Sequence, residues 1–268
     1  MKRLVVIIAL VSACILTGCG SSGTTTGSTV STSTAVSDSA TSAASSTTPA
    51  TVAVAASATL VPTATPSPTP APSPSPVTQN LQVIASGFGQ NDNGQIGYAF
   101  IVKNPNSALG ISNSQYQVAA YDSSGTVLKT DSNYINIIRP GETFGVGGQL
   151  FLDKGQKAAK IEVQVSTGTT GAMTDTTDLT TDKATYSADG YGDEQVSGVV
   201  NNPWKVDVKE VRVSAVTYDA SGKINGGGFT FVDFVPAGGH AAATVQVTTS
   251  GKPAKVELYA VLTSLSNP

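Results

Sequence analysis

Few residues of this 268-residue chain are of the types that carry out catalysis or hold metals. His240 is the only histidine and lies in the loop-like sequence Gly238-Gly239-His240. No serine occupies the nucleophile-elbow context that would suit a Ser-His-Asp site. The two cysteines, Cys14 and Cys19, are too few for a zinc cluster or a disulfide framework. The residue inventory therefore predicts no catalytic residues and no cofactor.

One acidic segment has the residue types of a cation site. Asp189, Asp193 and Glu194 lie around two glycines in Asp189-Gly190-Tyr191-Gly192-Asp193-Glu194. Carboxylate oxygens are the ligands that calcium prefers, but this spacing differs from the twelve-residue helix-loop-helix pattern. A solvated loop between two strands accounts for the same sequence. We predict no metal site and keep these three residues as the candidates to check.

Trp204 is the only tryptophan, and it follows Pro203 in a sequence typical of a loop. A large aromatic side chain in a loop can stack on a sugar ring or anchor a protein partner. Alternatively, it closes the bottom of a hydrophobic core. Trp204 is therefore the binding candidate, with a structural role as the alternative.

The amino terminus carries a targeting pattern. Lys2 and Arg3 precede the apolar run Leu4–Ile15, which is too short for a permanent membrane span and typical of a secretory signal. The run ends in Leu16-Thr17-Gly18-Cys19, which resembles the lipobox of bacterial lipoproteins. The resemblance implies that 1–18 is a cleaved signal peptide and that Cys19 carries a diacylglycerol anchor outside the cytoplasm, on the bacterial cell membrane. An ordinary secretory signal is the alternative.

Residues 19–77 have too little apolar bulk to form a core. Ser, Thr, Ala and Gly dominate as far as Val61, and prolines then recur at nearly every second position from Pro62 to Pro76. Such a composition predicts a disordered stalk whose proline-rich part adopts polyproline II. A spacer is the simplest interpretation, and a ligand for a proline-binding partner is the alternative.

From residue 78 onward, alternating apolar residues predict β-strands. Ile96, Tyr98, Phe100 and Val102 show the period of two, as does the run Val211, Val213 and Ala215. Turn sequences such as Asn93-Gly94, Ser124-Gly125 and Ser221-Gly222 separate the runs. No amphipathic helical stretch follows the signal, so the pattern predicts an all-β fold.

The alternating region repeats itself with a period of about 97 residues. Asn104-Pro105 matches Asn202-Pro203, and Tyr121-Asp122-Ser123-Ser124-Gly125 matches Tyr218-Asp219-Ala220-Ser221-Gly222. Ala159–Val163 likewise matches Ala254–Leu258. We therefore predict two copies of one antiparallel β-sandwich, at 78–166 and 180–268.

The order of strand, Asn-Pro, strand ending in Tyr-Asp-x-x-Gly, Pro-Gly turn and final strand resembles the FxLYD domain of bacterial surface proteins. Only the Tyr-Asp part of the naming motif is present, at Tyr121-Asp122 and Tyr218-Asp219. The resemblance implies an immunoglobulin-like β-sandwich for each copy. It implies no activity and no catalytic residues.

These features together predict a lipoprotein that displays two tandem β-sandwiches for binding or adhesion, without enzymatic activity. An envelope glycan or a surface protein is the expected partner, and the lipid anchor provides contact with the membrane. The net charge of −3 excludes a basic nucleic-acid-binding surface. The alternatives are a structural spacer protein of the envelope without a dedicated ligand, or a hydrolase of envelope polymers.

Overall fold

A computed structural model describes residues 78–174, 177–189 and 192–266, and the regular elements in those ranges are all β-strands. The first copy, repeat 1, contains β1 (Gln82–Gln90), β2 (Gln95–Lys103), β3 (Leu109–Tyr121), β4 (Val127–Ile138), β5 (Thr143–Phe151), β6 (Lys160–Val165) and β7 (Thr169–Ala172). The second copy, repeat 2, contains β8 (Thr180–Ala188), β9 (Glu194–Asn201), β10 (Val208–Tyr218), β11 (Ile224–Val235), β12 (His240–Thr249) and β13 (Lys255–Val261). The paired strands run antiparallel, which confirms the predicted all-β class.

The predicted signal peptide 1–18, the lipidation residue Cys19 and the predicted stalk 19–77 lie outside the described residues. Within the described ranges, no helix has the length and hydropathy needed to cross a bilayer.

Each repeat pairs its strands in the same order. In repeat 1, β1-β2-β5 form one sheet and β4-β3-β6 form the other. In repeat 2, β8-β9-β12 and β13-β10-β11 are the counterparts, and a short pairing of Gly226 and Gly227 with Thr249 and Thr248 joins them into one six-stranded sheet. Strand β7 pairs with β3 and extends repeat 1 beyond residue 166, as far as Ala172.

The alternating residues of each strand lie on opposite faces of its sheet, with the apolar ones facing the core. Ile96, Tyr98 and Phe100 on β2 point into the core of repeat 1 and are fully buried. In repeat 2, Val211 and Val213 on β10 take the same role in a second core. Burying these side chains is the main favourable contribution to folding in each repeat.

The two Tyr-Asp-x-x-Gly segments form matching hairpin loops. The Asp122 carboxylate accepts hydrogen bonds from the backbone N–H groups of Ser124 and Thr126, at 2.9 and 2.8 Å. Asp219 binds its own loop in the same way. Gly222 closes the second loop with a φ of +80°, a conformation that favours glycine. The side-chain hydrogen bonds from the loop serines hold the pKa of both aspartates below the usual value.

The two Asn-Pro segments are equivalent in structure as well as in sequence. The Asn104 amide is fully buried and donates to the backbone carbonyls of Leu109 and Arg139, at 2.8 and 2.9 Å. Asn202 donates to the carbonyl of Val206 at 2.8 Å and to two further carbonyls, in the same arrangement. These asparagines therefore hold the ends of strands in place, because each buried amide bonds carbonyl groups from two separate segments of its repeat.

The two repeats pack face to face within one compact unit. The outer face of the β1-β2-β5 sheet contributes Ala99 and Ile101 to a third apolar cluster, and repeat 2 contributes Val216 and Ile224. Val261, at the end of β13, is buried in the core of repeat 1. The β1-β2-β5 sheet is therefore covered on both faces.

Glycines allow the β1-β2-β5 sheet of repeat 1 to lie close to β11 of repeat 2. A Cβ atom on Gly147 of β5 would lie 2.1 Å from the carbonyl oxygen of Gly228, and one on Gly97 would lie 2.3 Å from that of Gly227. Real atoms do not approach so closely, so this contact requires residues without side chains.

The equivalent outer face in repeat 2, on the β8-β9-β12 strands, is polar and exposed. The positions equivalent to Ala99 and Gly147 hold Ser197 and Thr244, whose hydroxyls contact each other at 3.2 Å in an exposed environment. At the other end of the molecule, Gln117 and Glu162 are exposed on the outer face of the β4-β3-β6 sheet. Each repeat therefore uses one sheet face for the other repeat and exposes a polar face.

Candidate functional site

A groove of about 440 Å³ lies where the two repeats meet. We call it the inter-repeat groove and define it by Asn113, Asn133, Tyr134 and Asn136 of repeat 1 and by Arg212, Phe231 and Val261–Leu265 of repeat 2. Its volume falls within the usual range for small-ligand sites, and boundaries between domains are common places for such sites.

Equivalent strand positions supply the two aromatic residues of the groove. Tyr134 lies on β4 and Phe231 lies on β11, at matching positions of the two repeats. Their exposed fractions are 56% and 47%, which is high for such large apolar side chains. Leu265 adds a third exposed apolar side chain, at 72%. Exposed apolar groups gathered in a concave site are typical of binding surfaces.

Irregular backbone shapes the wall of the groove that repeat 1 supplies. Asn113 on β3 has a φ of +53°. In the β3–β4 ladder Ser112 pairs with Ile137 and Ser114 pairs with Ile135, so Asn113 has no partner residue on β4. Glu210 occupies the same position on β10, with a φ of +50°. Because the irregularity occurs in both repeats, it is a feature of the shared fold. In repeat 1 it places Asn113 in the groove wall.

Arg212 is the charged residue of the groove lining, and it is only 8% exposed. Its Nη2 donates a hydrogen bond to the Gly147 carbonyl oxygen at 2.8 Å. The guanidinium lies 4.0 Å from the centre of the Phe229 ring, a cation–π contact. Among the described residues, no carboxylate forms an ion pair with Arg212. The groove therefore contains a largely buried positive charge that is stabilised by a carbonyl and a ring rather than by an anion.

The positive charge influences the neighbouring core of repeat 1. Burial raises the pKa of the Tyr116 phenol, and the Arg212 guanidinium opposes this increase. Tyr98, beside Tyr116, donates its hydroxyl hydrogen to the Asp131 carboxylate on β4. Burial is the main cause of the raised pKa of Tyr98. Both phenols are therefore neutral at physiological pH.

The asparagines give the groove hydrogen-bonding capacity. Asn136 donates from Nδ2 to the Leu262 carbonyl oxygen at 3.1 Å, which ties β4 to the end of repeat 2. Its side-chain oxygen remains available as an acceptor. The exposed amide of Asn113 has no hydrogen-bond partner among the residues that the structure describes. Amides both donate and accept, so they suit ligands with hydroxyl groups.

The predicted acidic cluster is divided between different roles. Asp189 accepts a hydrogen bond from the backbone N–H of Asp193 at 2.9 Å, within a hairpin loop. The Glu194 carboxylate instead accepts hydrogen bonds from Thr249 and from the Tyr186 hydroxyl, both at 2.7 Å. Burial and Glu194 together raise the pKa of Tyr186 to about 12. In the described part of the chain, no group of three His, Cys, Asp or Glu side chains is arranged to hold a metal ion.

The structure places Trp204 against the second core rather than in the groove. Its side chain is half-buried and packs against that core, and its backbone N–H donates to the Asn202 side-chain oxygen at 2.9 Å. His240 is exposed at the start of β12 and pairs with Asn201 across the ladder. The structure therefore does not bring Trp204, His240 and the acidic residues together at one site.

Reasoning from the sequence missed the groove, although two signals were present. Arg212 interrupts the run Val211 to Val213, where the alternation puts it on the face opposite the core. Tyr134 and Phe231 also occupy equivalent positions immediately before a core residue, on the face that alternation exposes. An aromatic residue at the same outward position in both copies is the clearer of the two signals.

Comparison with known proteins adds little. No protein-family model matches the chain, and no curated protein is significantly similar to it. Red sea bream transglutaminase is similar over 69% of this chain and 29% of that chain, at 12% identity and a TM-score of 0.24. The C-terminal globular domain of an oligosaccharyltransferase from Pyrococcus abyssi is similar over 67% of this chain and 46% of that chain, at 11% identity and a TM-score of 0.19. The chain spans less than half the length of either structure, and the TM-scores are too low to support an argument about function.

Proposed function

We propose that this protein is a lipoprotein of the bacterial cell surface, whose two immunoglobulin-like, FxLYD-related repeats bind a component of the envelope without enzymatic activity. The lipobox-like Leu16-Thr17-Gly18-Cys19 sequence supports the anchor. The proposed binding site is the inter-repeat groove, and the single observation that carries it is the exposure of Tyr134 and Phe231 beside the buried Arg212.

The anchor and the groove serve one function in this proposal. Two or more acyl chains on Cys19 hold a protein stably on a membrane, because each buried methylene contributes about 0.8 kcal/mol. The low-complexity residues 20–77 separate that anchor from the folded repeats in the sequence. A binding site carried in this way can reach polymers beyond the membrane surface.

The groove suits binding better than catalysis. Its lining combines exposed apolar groups, amides and one guanidinium, and the lining residues include no histidine, cysteine, aspartate or glutamate. Histidine and the carboxylates are the commonest sources of a general acid or base. The groove has instead the aromatic and arginine composition of binding hot spots.

Retention of the protein on isolated envelope material tests the binding role. The full chain should be retained, and the double variant Tyr134→Ala/Phe231→Ala should lose most of that retention. Phe151→Ala is the matched control, because Phe151 is 62% exposed and lies outside the groove lining. Equal retention of all three proteins, or no retention at all, would contradict a binding role for the groove and would favour a spacer protein.

Processing in cells tests the anchor separately. Cys19→Ser should release the protein from the membrane fraction and prevent acylation, as measured by mass spectrometry of the amino terminus. An unchanged distribution between membrane and soluble fractions would contradict the lipoprotein assignment and leave the groove experiment unaffected.

A further inference from the structure

We infer that the inter-repeat groove binds a glycan chain with carboxylated sugars, of the uronic acid type. The inference rests on the proposed function and specifies its ligand. Four observations lead to this chemistry: the charge of Arg212, the exposed rings, the asparagine amides and the irregular strand edge.

The charge is the first step. Arg212 is nine-tenths buried, lines the groove and has no carboxylate partner among the described residues. Removing a cation from water is unfavourable unless it is paired, and the Gly147 carbonyl satisfies only one of five guanidinium N–H groups. A carboxylate supplied by a ligand forms charge-assisted, bidentate hydrogen bonds with such a group. The site therefore favours an anionic ligand.

The rings are the second step. Tyr134 and Phe231 come from different repeats, and each exposes about half of its side chain in the groove. Flat aromatic faces pack against the C–H faces of sugar rings and against other apolar surfaces. Two rings on opposite repeats suit a ligand longer than one sugar. Rings alone would not favour a charged ligand, so the rings and Arg212 are independent observations.

The amides distinguish a sugar from a simple anion. Asn113 and Asn133 are exposed in the groove, and the Asn133 oxygen accepts a hydrogen bond from the backbone N–H of Tyr134 at 2.8 Å. Asn136 uses its Nδ2 within the protein, while its oxygen is available. An amide offers a donor and an acceptor on the same side chain, which matches neighbouring sugar hydroxyls. An anion without hydroxyl groups would leave the Asn113 amide, the Asn133 donor and the Asn136 oxygen without partners in a closed complex.

The strand edge argues against an acidic peptide. An extended peptide binds a sheet by adding a strand to a regular free edge. Here the free edge strand β4 loses its regular pairing at Asn136, opposite Asn113, and carries the inward-pointing carboxylate of Asp131. Both features discourage the addition of a strand. The observations therefore favour a glycan over a peptide.

Calorimetric titration of the full chain, purified in a mild detergent, tests the inference with three defined probes. These are a hexamer of galacturonic acid, the same hexamer with all carboxylates methyl-esterified, and hexaglutamate. We expect the acidic hexamer to bind at least ten times more tightly than its ester. We also expect 0.5 M salt to weaken its binding several-fold and hexaglutamate to bind at least ten times more weakly.

Variants locate the binding. Arg212→Gln should reduce affinity for the acidic hexamer at least tenfold and leave the ester unaffected, while Tyr134→Ala should weaken both. Phe151→Ala should change neither. If Arg212→Gln does not fold, as judged by circular dichroism, the ester comparison and Tyr134→Ala decide the question.

Several results would overturn the inference. They are no binding of the acidic hexamer, equal binding of acid and ester, tighter binding of hexaglutamate, or affinity that Tyr134→Ala leaves unchanged. Envelope retention that depends on Tyr134 and Phe231, without hexamer binding, would refute the acidic glycan and keep the proposed function. If the unaltered chain is not retained on the envelope at all, the proposed function itself is refuted.

Discussion

At the scale of single residues, the two repeats preserve the same buried amide. Asn104 is fully buried and Asn202 is 2% exposed, and each donates hydrogen bonds to three backbone carbonyls. The sequence showed the Asn-Pro pair repeated in both copies, and the structure adds the carbonyl partners. Those partners could not be predicted, because Val235 lies more than thirty residues from Asn202.

Asn202→Ala should lower the free energy of unfolding by about 3 kcal/mol, because several buried carbonyls lose their donor. The neighbouring Asn201→Ala is the matched control, since its amide makes only long contacts of 3.5 Å, and should change stability by less than about 0.5 kcal/mol. Urea denaturation measures both. Equal effects of the two variants would contradict the role assigned to the buried amide.

A second pair of equivalent residues occupies different environments. Glu162 forms an ion pair with Lys160, and Glu257 forms one with Lys255. In each pair the lysine nitrogen lies 2.7 Å from a carboxylate oxygen. Glu162 is on a solvent-facing surface, whereas Glu257 also accepts hydrogen bonds from the Tyr218 and Tyr259 hydroxyls at the junction of the repeats. Burial pushes the pKa of Glu257 upward, but these hydrogen bonds and Lys255 outweigh it and hold the pKa below its usual value.

A lowered folded-state pKa stabilises the protein above the unfolded pKa of about 4.3, and this stabilisation is lost as pH falls through the folded value. Glu257→Gln should therefore reduce the loss of stability between pH 6 and pH 3. Glu162→Gln should have a smaller effect that 0.5 M salt removes, because exposed pairs are screened. Thermal unfolding of both variants across this pH range measures the effect. Identical dependence of the melting temperature on pH in the two variants would contradict this prediction.

At the scale of strands, alternation predicted the core faces correctly but not the faces between the repeats. Ile96, Tyr98 and Phe100 point inward as expected. The intervening Gly97 and Ala99 belong to a face that sequence patterns assign to solvent, yet both are buried by repeat 2. Alternation of apolar residues indicates which face of a sheet packs on the core of its own repeat. It does not indicate that another sheet covers the opposite face.

Gly147→Ala should destabilise the protein by at least about 2 kcal/mol, because the added methyl group would overlap the Gly228 carbonyl and push the two sheets apart. Gly171→Ala on β7 is the matched control, since nothing lies within 4 Å of its added atom. Chemical denaturation compares the two. A Gly147→Ala protein as stable as the control would show that the sheets do not approach each other as described.

At the scale of the whole molecule, the repeats depend on each other. Val261 of repeat 2 is buried in the core of repeat 1, and Phe144 of repeat 1 packs edge-to-face on Tyr259 at 5.5 Å. The duplication was predicted from the sequence, and the docking between the copies was not. The groove could not be predicted for the same reason, since Tyr134 and Arg212 meet only when the copies pack together.

Residues 78–174 produced alone should be unfolded or aggregated, because the fragment exposes Ala99 and Ile101 and lacks Val261. The fragment 177–266 should also be less stable than the whole. The two-repeat protein should unfold in one calorimetric transition. Two separate transitions, or an isolated repeat that melts at the temperature of the whole, would instead indicate independent domains.

The polar outer faces limit how many copies can be stacked. A third module would have to dock either on the Ser197–Thr244 surface or on the Gln117–Glu162 surface, and neither has glycines in place of Gly97 and Gly147, which the existing contact uses. Terminal units of repeat proteins carry such water-compatible ends. The duplication is therefore a closed pair, and a longer relative would need new small residues at one of these ends before its array could grow.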